Sequence, residues 1–428
     1  MQFKNPALWL SAVCFASCGA FVVATFTRAP AARAASEAAA PSATVFENAP
    51  VDPTAIALLD VAFEAAALLP ENPHAKNRAR NQGAVVDTLL ALDQPGRAAG
   101  RAEEMTTWRR GQAYAELACY AARRALRGEA ERMLERARVD AERAKALALQ
   151  EDAKSQGWQH DRIQAKLALA CELLGDAERA RAFAAASSDA ERARIAEQFP
   201  APAGDAEFDA RIAELDRAIA AGSFELVEGA MRAAAKTYAR VRADEVKRTS
   251  FDERFTRAWK SMPLEVRIDL ELALARAASD AGDVESARVF VEEARACYDG
   301  ARWAPEDYVV LGARIAAERH RAGDGARAKE ELDALHARFD VERDGIVDIY
   351  RAKALRALAE ASGVLGDEAA QARDYARAVE EGVANPNGRP RVDDLVATCC
   401  SMATARFVPT AELLERIRAI RAGLKAPW

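Results

Sequence analysis

One pair of residues recurs along the chain and constrains its fold more than any other feature: a glycine followed by an acidic or small polar residue. It stands at Gly128-Glu129, Gly175-Asp176, Gly222-Ser223, Gly282-Asp283, Gly323-Asp324 and Gly366-Asp367. Glycine enters the left-handed region that ends a helix without a Cβ clash. An acidic or hydroxyl side chain just after it can accept from the free amides that open the next helix. Each pair is therefore expected to form the tight joint of a helix–turn–helix unit. Successive glycines lie about 47, 47, 60, 41 and 43 residues apart. Asp93-Gln94-Pro95 and Val408-Pro409-Thr410 have the make-up of the same joint in other residues. That gives about eight helix pairs, with a period characteristic of a solenoid, in which no pair can bury its apolar face alone.

The segments between the joints carry helical stripes. Ile163, Leu167, Ala170 and Leu174 share one face, as do Leu413, Ile417, Ile420 and Leu424, and Ile212, Leu215 and Ile219. No comparable alternation of apolar and polar residues predicts a strand. Alanine dominates and aromatics are only 7% of the 428 residues, which favours helices over a pleated sheet. The expected class is all-α, a right-handed α-solenoid. Sixty basic against 66 acidic residues, net -6, provide no field for nucleic acid.

Gly175-Asp176-Ala177-Glu178-Arg179-Ala180-Arg181 and Gly282-Asp283-Val284-Glu285-Ser286-Ala287-Arg288 share a G-D-x-E-x-A-R frame, and Gly323 is followed by Ala328. This resembles the second half of a tetratricopeptide repeat, where a turn glycine precedes a small residue at which helix B meets helix A. The resemblance spans residues 75–382. It departs from the family at Trp108-Arg109-Arg110-Gly111, which has the Trp without Leu-Gly or Tyr in register. The closing Pro is missing and most periods exceed 34 residues. The resemblance implies a protein-binding scaffold with a concave groove and no catalysis of its own.

The N-terminus has a different character. Lys4 precedes an uncharged apolar run from Pro6 to Phe26, long enough as a helix to cover a hydrocarbon core of about 30 Å. A retained signal-anchor, a cleaved secretory signal ending near Ala32-Arg33-Ala34 and a lipoprotein signal at Cys18 are the competing readings. The expected plan is a signal or anchor over 1–34, an Ala/Pro-rich linker over 35–53, helical repeats over 54–199 and 205–384, and a loop with a C-terminal helical cap over 385–428. The expected location is membrane-anchored or secreted, with the body outside the cytoplasm (the periplasm, in a bacterium).

A search for chemistry finds little. Cys119, Cys171, Cys297, Cys399 and Cys400 lie in alanine-rich helical contexts without C-x-x-C spacing, as packing residues rather than a disulfide or zinc set. His320 and His336 flank the Gly323 joint, but the rise along antiparallel helices separates them axially by about 15 Å. No metal, cofactor or catalytic residue is expected. The candidate partner-binding residues are Trp108, Trp158, Trp259 and Trp303, each near the start of a repeat, with Arg109, Arg110, Arg389 and Arg391. Trp and Arg dominate interface hot spots, so they could line a groove for a protein partner. The competing reading of the Trp residues is packing between repeats. A peptide or small-ligand sensor is the alternative function, and an enzyme subunit a third.

Overall fold

The computed structural model describes residues 46–150, 157–199, 205–241, 244–260 and 262–428. The first half contains α1 (Pro53–Leu68), α2 (Glu71–Ala91), α3 (Pro95–Glu104), α4 (Arg109–Arg123), α5 (Arg127–Gln150), α6 (Gly157–Leu173), α7 (Ala177–Ala185), α8 (Asp189–Ala193) and α9 (Asp205–Ala221). The second contains α10 (Phe224–Val241), α11 (Glu245–Trp259), α12 (Leu264–Asp280), α13 (Val284–Asp299), α14 (Pro305–Arg321), α15 (Gly325–Glu342), α16 (Asp348–Val364), α17 (Glu368–Val383), α18 (Gly388–Thr404) and α19 (Ala411–Ala422). No strand occurs among the described residues. The chain is a helical-repeat protein.

The joints form as the residues dictate. Gly175, Gly222, Gly282, Gly323 and Gly366 take φ between +69 and +80°. Asp176, Asp283, Asp324 and Asp367 then cap the next helix by accepting from Arg179, Ser286, Arg327 and Ala370 N–H at 3.0, 3.2, 3.4 and 3.0 Å. The same four residues donate their own N–H back to the carbonyls of Cys171, Ala278, Arg319 and Ser362, closing the preceding helix in the six-to-one pattern. Asp93 and Arg406 hold the left-handed position in the two glycine-free joints, at φ 55 and 54°. Gly128 does not. Ala125 is the left-handed residue there, at φ 57°, and Gly128 lies in the first turn of α5. Ser223 also departs from expectation: its hydroxyl meets the Glu225 carboxylate at 3.1 Å.

Two kinds of helix alternate. The first helix of a pair is buried on most of its circumference, as α14 shows with Val309, Leu311, Ala313, Ile315, Ala316 and Ala317 all inside. The second is amphipathic: α13 buries one face, Ala287, Phe290, Val291, Ala294, Cys297 and Tyr298, and leaves its other residues exposed or partly exposed. Helices α2, α4, α6, α8, α10, α12, α14, α16 and α18 form an inner layer, each packed on the next. The register shifts at the short α8 and at α10, which follows the Gly222 joint as the second helix of its pair. The short α8 carries the course across the 200–204 break, where α10 approaches so closely that a Cβ on Gly229 would lie 2.3 Å from the Ala193 carbonyl oxygen.

The array closes on itself. α18 packs along α1 and also against α2, so the first helix completes the last pair. Across this seam Asp393 accepts from Asn81 at 2.7 Å and Asn77 at 3.3 Å and pairs with Arg80 at 3.1 Å. Arg421 pairs with Glu64. One apolar core runs through the seam, joining Leu58, Phe63 and Val86 to Val396, Cys399 and Met402. The 385–428 segment, expected to be a loop and a C-terminal helical cap, supplies α18, the helix that meets α1.

Among the described residues no helix is long and apolar enough to cross a membrane. The apolar run from Pro6 to Phe26, with Cys14 and Cys18, lies outside them, as do the linker to residue 45 and Pro200–Gly204.

Candidate partner-binding surface

The inner helices leave one narrow stripe uncovered. Over residues 79–91 of α2 the exposed positions are Arg80, Ala84, Asp87 and Ala91, spaced four, three and four apart on a stretch otherwise largely inside. On α4 the partly exposed positions are Arg109, Arg110, Gln112 and Glu116. These stripes present charge, and neighbouring helices answer it. Glu116 pairs with Lys166 of α6 at 2.6 Å, and Lys166 also donates to Gln198 at 2.8 Å. Asp87 lies at the exposed edge of this stripe, and the helices crowded around its carboxyl together with the nearby Glu116 push it up to about 6.

At the start of α4 and α6 the structure brings together three of the expected residues, Trp108, Arg109 and Trp158. The two indoles meet edge to face, 5.0 Å between centroids and 83° between planes. Arg109 Cζ lies 5.0 Å from the Trp108 ring. Arg162, not among the expected residues, lies 4.9 Å from Trp158 and 5.9 Å from Trp108 while holding Glu191 through two bonds of 2.8 and 3.0 Å. Trp158 is 36% exposed and Trp108 partly buried. Trp108 also borders a cleft of about 260 Å³ with Ala144, Leu147, Lys76 and Thr107, whose buried hydroxyl has no hydrogen-bond partner among the described residues.

The remaining expected residues go elsewhere. Arg110 turns to α5 and binds Asp140 through bonds of 2.8 and 2.6 Å. Trp259 ends α11 and packs edge to face on Phe255 at 5.4 Å, beside Arg267. Trp303 stacks on Tyr298 and donates its indole N–H to the Tyr298 carbonyl at 2.8 Å. Both rings rest on the second core, between repeats. Arg389 pairs with Asp393 at 3.0 Å, in the first turn of α18 rather than in a loop, and Arg391 donates to the Asn385 carbonyl.

A second charged wall spans α10 to α16, around a cleft of about 410 Å³. Arg232, Arg276, Arg314 and Arg321 stand there with Asp269, Glu318 and Glu360 over an alanine floor. The charges satisfy one another: Arg276 binds Glu318 at 2.9 and 2.6 Å, Arg314 binds Asp269 at 2.6 Å, and Glu360 accepts from Ser401 at 2.5 Å. None of these residues was legible as a set, since they come from four repeats. Arg162 could have been found, four residues after Trp158 on one helix face.

His320 and His336 border one cleft of about 190 Å³ with Lys329, Leu332 and Asp333, a cleft that runs along α15. His336 Nε2 lies 2.6 Å from the fully buried Asp374. Among the described residues no group of three His, Cys, Asp or Glu could hold a metal ion. The five cysteines of the body are free thiols, four of them buried, and burial pushes Cys171 and Cys400 up to about 11.

Comparison with known proteins adds little. No family model matches the chain. No curated protein matches it. Among solved structures it is similar to one described as a "Circular tandem repeat protein with novel repeat topology and enhanced subunit contact surfaces", at 16% identity over 87% of this chain and 95% of that one. The TM-score is 0.27, too low for the likeness to carry any argument about this chain.

Proposed function

We propose that the chain is a non-catalytic helical-repeat scaffold that holds a protein partner at the inner rim formed by α2, α4 and α6. In this reading the pairs follow a right-handed, tetratricopeptide-like course. The N-terminal run anchors or exports the body to the extracytoplasmic side. The observation that carries the reading is the Trp108–Trp158 pair flanked by Arg109 and Arg162. These are the residue types that anchor interfaces, gathered from two successive repeats beside an open cleft. A small-ligand sensor is the second reading, favoured by the cleft between α10 and α16. The mutual pairing of its arginines and carboxylates leaves that wall fewer free groups to offer a ligand.

Crosslinked capture of the tagged full-length protein from its native membranes, read by mass spectrometry, tests the proposal. A few stoichiometric partners that Trp158→Ala loses and Trp303→Ala retains are expected. A folded protein that captures none overturns the scaffold reading. Protease added to intact cells is expected to digest the body, and a protected body would overturn its proposed location.

A further inference from the structure

Three guanidinium groups from successive inner helices are neighbours at the rim: Arg80 of α2, Arg109 of α4 and Arg162 of α6. Two have carboxylates, Asp393 for Arg80 and Glu191 for Arg162. Arg109 has none. Among the described residues it makes no ion pair or hydrogen bond, and its one close partner is the face of Trp108. By contrast, Arg276, Arg314 and Arg356 on other inner helices each hold a carboxylate at ordinary distance. Burial, Arg162 and Arg80 all work against its charge and hold it below the usual arginine range, and Asp87 only partly offsets them. Asp87's neighbour Glu116 is already taken by Lys166.

The fold makes room for this arrangement. Arg109 lies across α2 where the chain has Gly83, and a Cβ there would sit 3.3 Å from Arg109 Cδ and Nη1. A cation kept desolvated, repelled and unpaired costs stability, and such costs gather at functional sites.

We propose that Arg109 is the seat of an oxyanion, the carboxylate of an acidic segment of the protein partner, with an apolar side chain of that segment resting beside Trp108 and Trp158. The inference rests on the scaffold reading and gives the partner a chemistry. A planar guanidinium accepts a carboxylate through two parallel bonds, and the neighbouring Arg80 and Arg162 add attraction without being released from their own partners. Free phosphate offers the same oxyanion chemistry without the apolar neighbour. The cleft beside Trp108, lined by Ala144 and Leu147, favours the peptide.

The test is a calorimetric titration of the full-length protein with a blocked hexapeptide of alternating Glu and Leu, its Gln–Leu counterpart, and inorganic phosphate. The Glu peptide is expected to bind at least tenfold more tightly than the Gln peptide, and less tightly as salt rises. Arg109→Gln is expected to remove that preference, and Arg416→Gln, whose side chain pairs with Glu380 away from the rim, to keep it. Gly83→Ala, which retains the charge and displaces it, is expected to weaken binding. Without ligand, Arg109→Gln is expected to melt higher than the parent, because a repelled cation has gone. Equal binding of the two peptides, phosphate binding without peptide binding, or a lower melting point for Arg109→Gln each overturns the proposal. If partners are captured equally by the parent and Arg109→Gln, the scaffold stands and this inference falls. If neither captures any, the scaffold falls.

Discussion

Glu271 on α12 shows what an unmatched charge does inside this fold. It is 1% exposed, and its nearest cation, Arg267, is 3.7 Å away, too far for a hydrogen bond. Burial first, then Glu293, pushes its carboxyl up to about 8 from an ordinary 4.5. The folded state therefore holds this proton more tightly than the unfolded chain does. Its contribution is fully favourable below pH 4.5 and is lost progressively as pH rises towards 8. Asp87 acts with the same sign over a lower window, from 3.8 to about 6. Urea unfolding of the parent is expected to show falling stability between pH 6 and 8. Glu271→Gln is expected to flatten that limb and exceed the parent at pH 9. A parent limb that stays flat over this range would mean that Glu271 finds a compensating partner in solution.

The helix joints are the element most legible in the sequence, because their chemistry is local. A glycine for the left-handed residue and an aspartate for the next cap are readable from neighbours alone, and the structure uses both at Gly175, Gly282, Gly323 and Gly366. The α4–α5 joint defeats the rule. Helix α4 runs on to Arg123 and hands the left-handed position to Ala125, three residues ahead of the available glycine. An L-residue there costs about 1–2 kcal/mol, and glycine returns about 0.4–1 of that through its greater freedom when unfolded. Ala125→Gly is therefore expected to stabilise the protein by about 0.5–1 kcal/mol in urea unfolding. The same substitution at Ala122, an ordinary position within α4, should destabilise. Equal losses at both sites would show that Ala125 is not left-handed in solution. The candidate surface was legible only where sequence neighbours share a face. Trp108 and Arg109 are adjacent, and Trp158 is placed beside them by the repeat. The separation of Trp259 and Trp303 into inter-repeat packing depends on the second core, whose contacts no local spacing encodes.

Closure belongs to the whole molecule, and the pairing that makes it is invisible to local reading, since Asn81 and Asp393 are 312 residues apart. One signal was present. An end helix of an open array keeps a polar outer face, whereas α1 buries Ile56, Leu58, Leu59, Val61, Ala62, Phe63, Ala65 and Ala66, more than one neighbour can cover. A helix apolar over so much of its circumference needs partners on several sides, and α18 is the one that α2 cannot replace. Closure also changes how damage spreads. In an open solenoid each repeat touches only its neighbours, so a weakened first helix frays the N-terminal end alone. Here Leu59, 1% exposed, belongs to a core that reaches Val396, Cys399 and Met402 of α18. Leu59→Ala is expected to cost about 2–5 kcal/mol. Native-state amide exchange should then quicken in α18 as much as in α2, and more than in α12 and α14 on the far side of the circuit. Quickening confined to α1 and α2 would mean that the ends do not hold each other in solution. Quickening shared with α18 would make the N-terminal helix the clasp of the array, with the proposed partner-binding rim of α2, α4 and α6 beginning on the next helix.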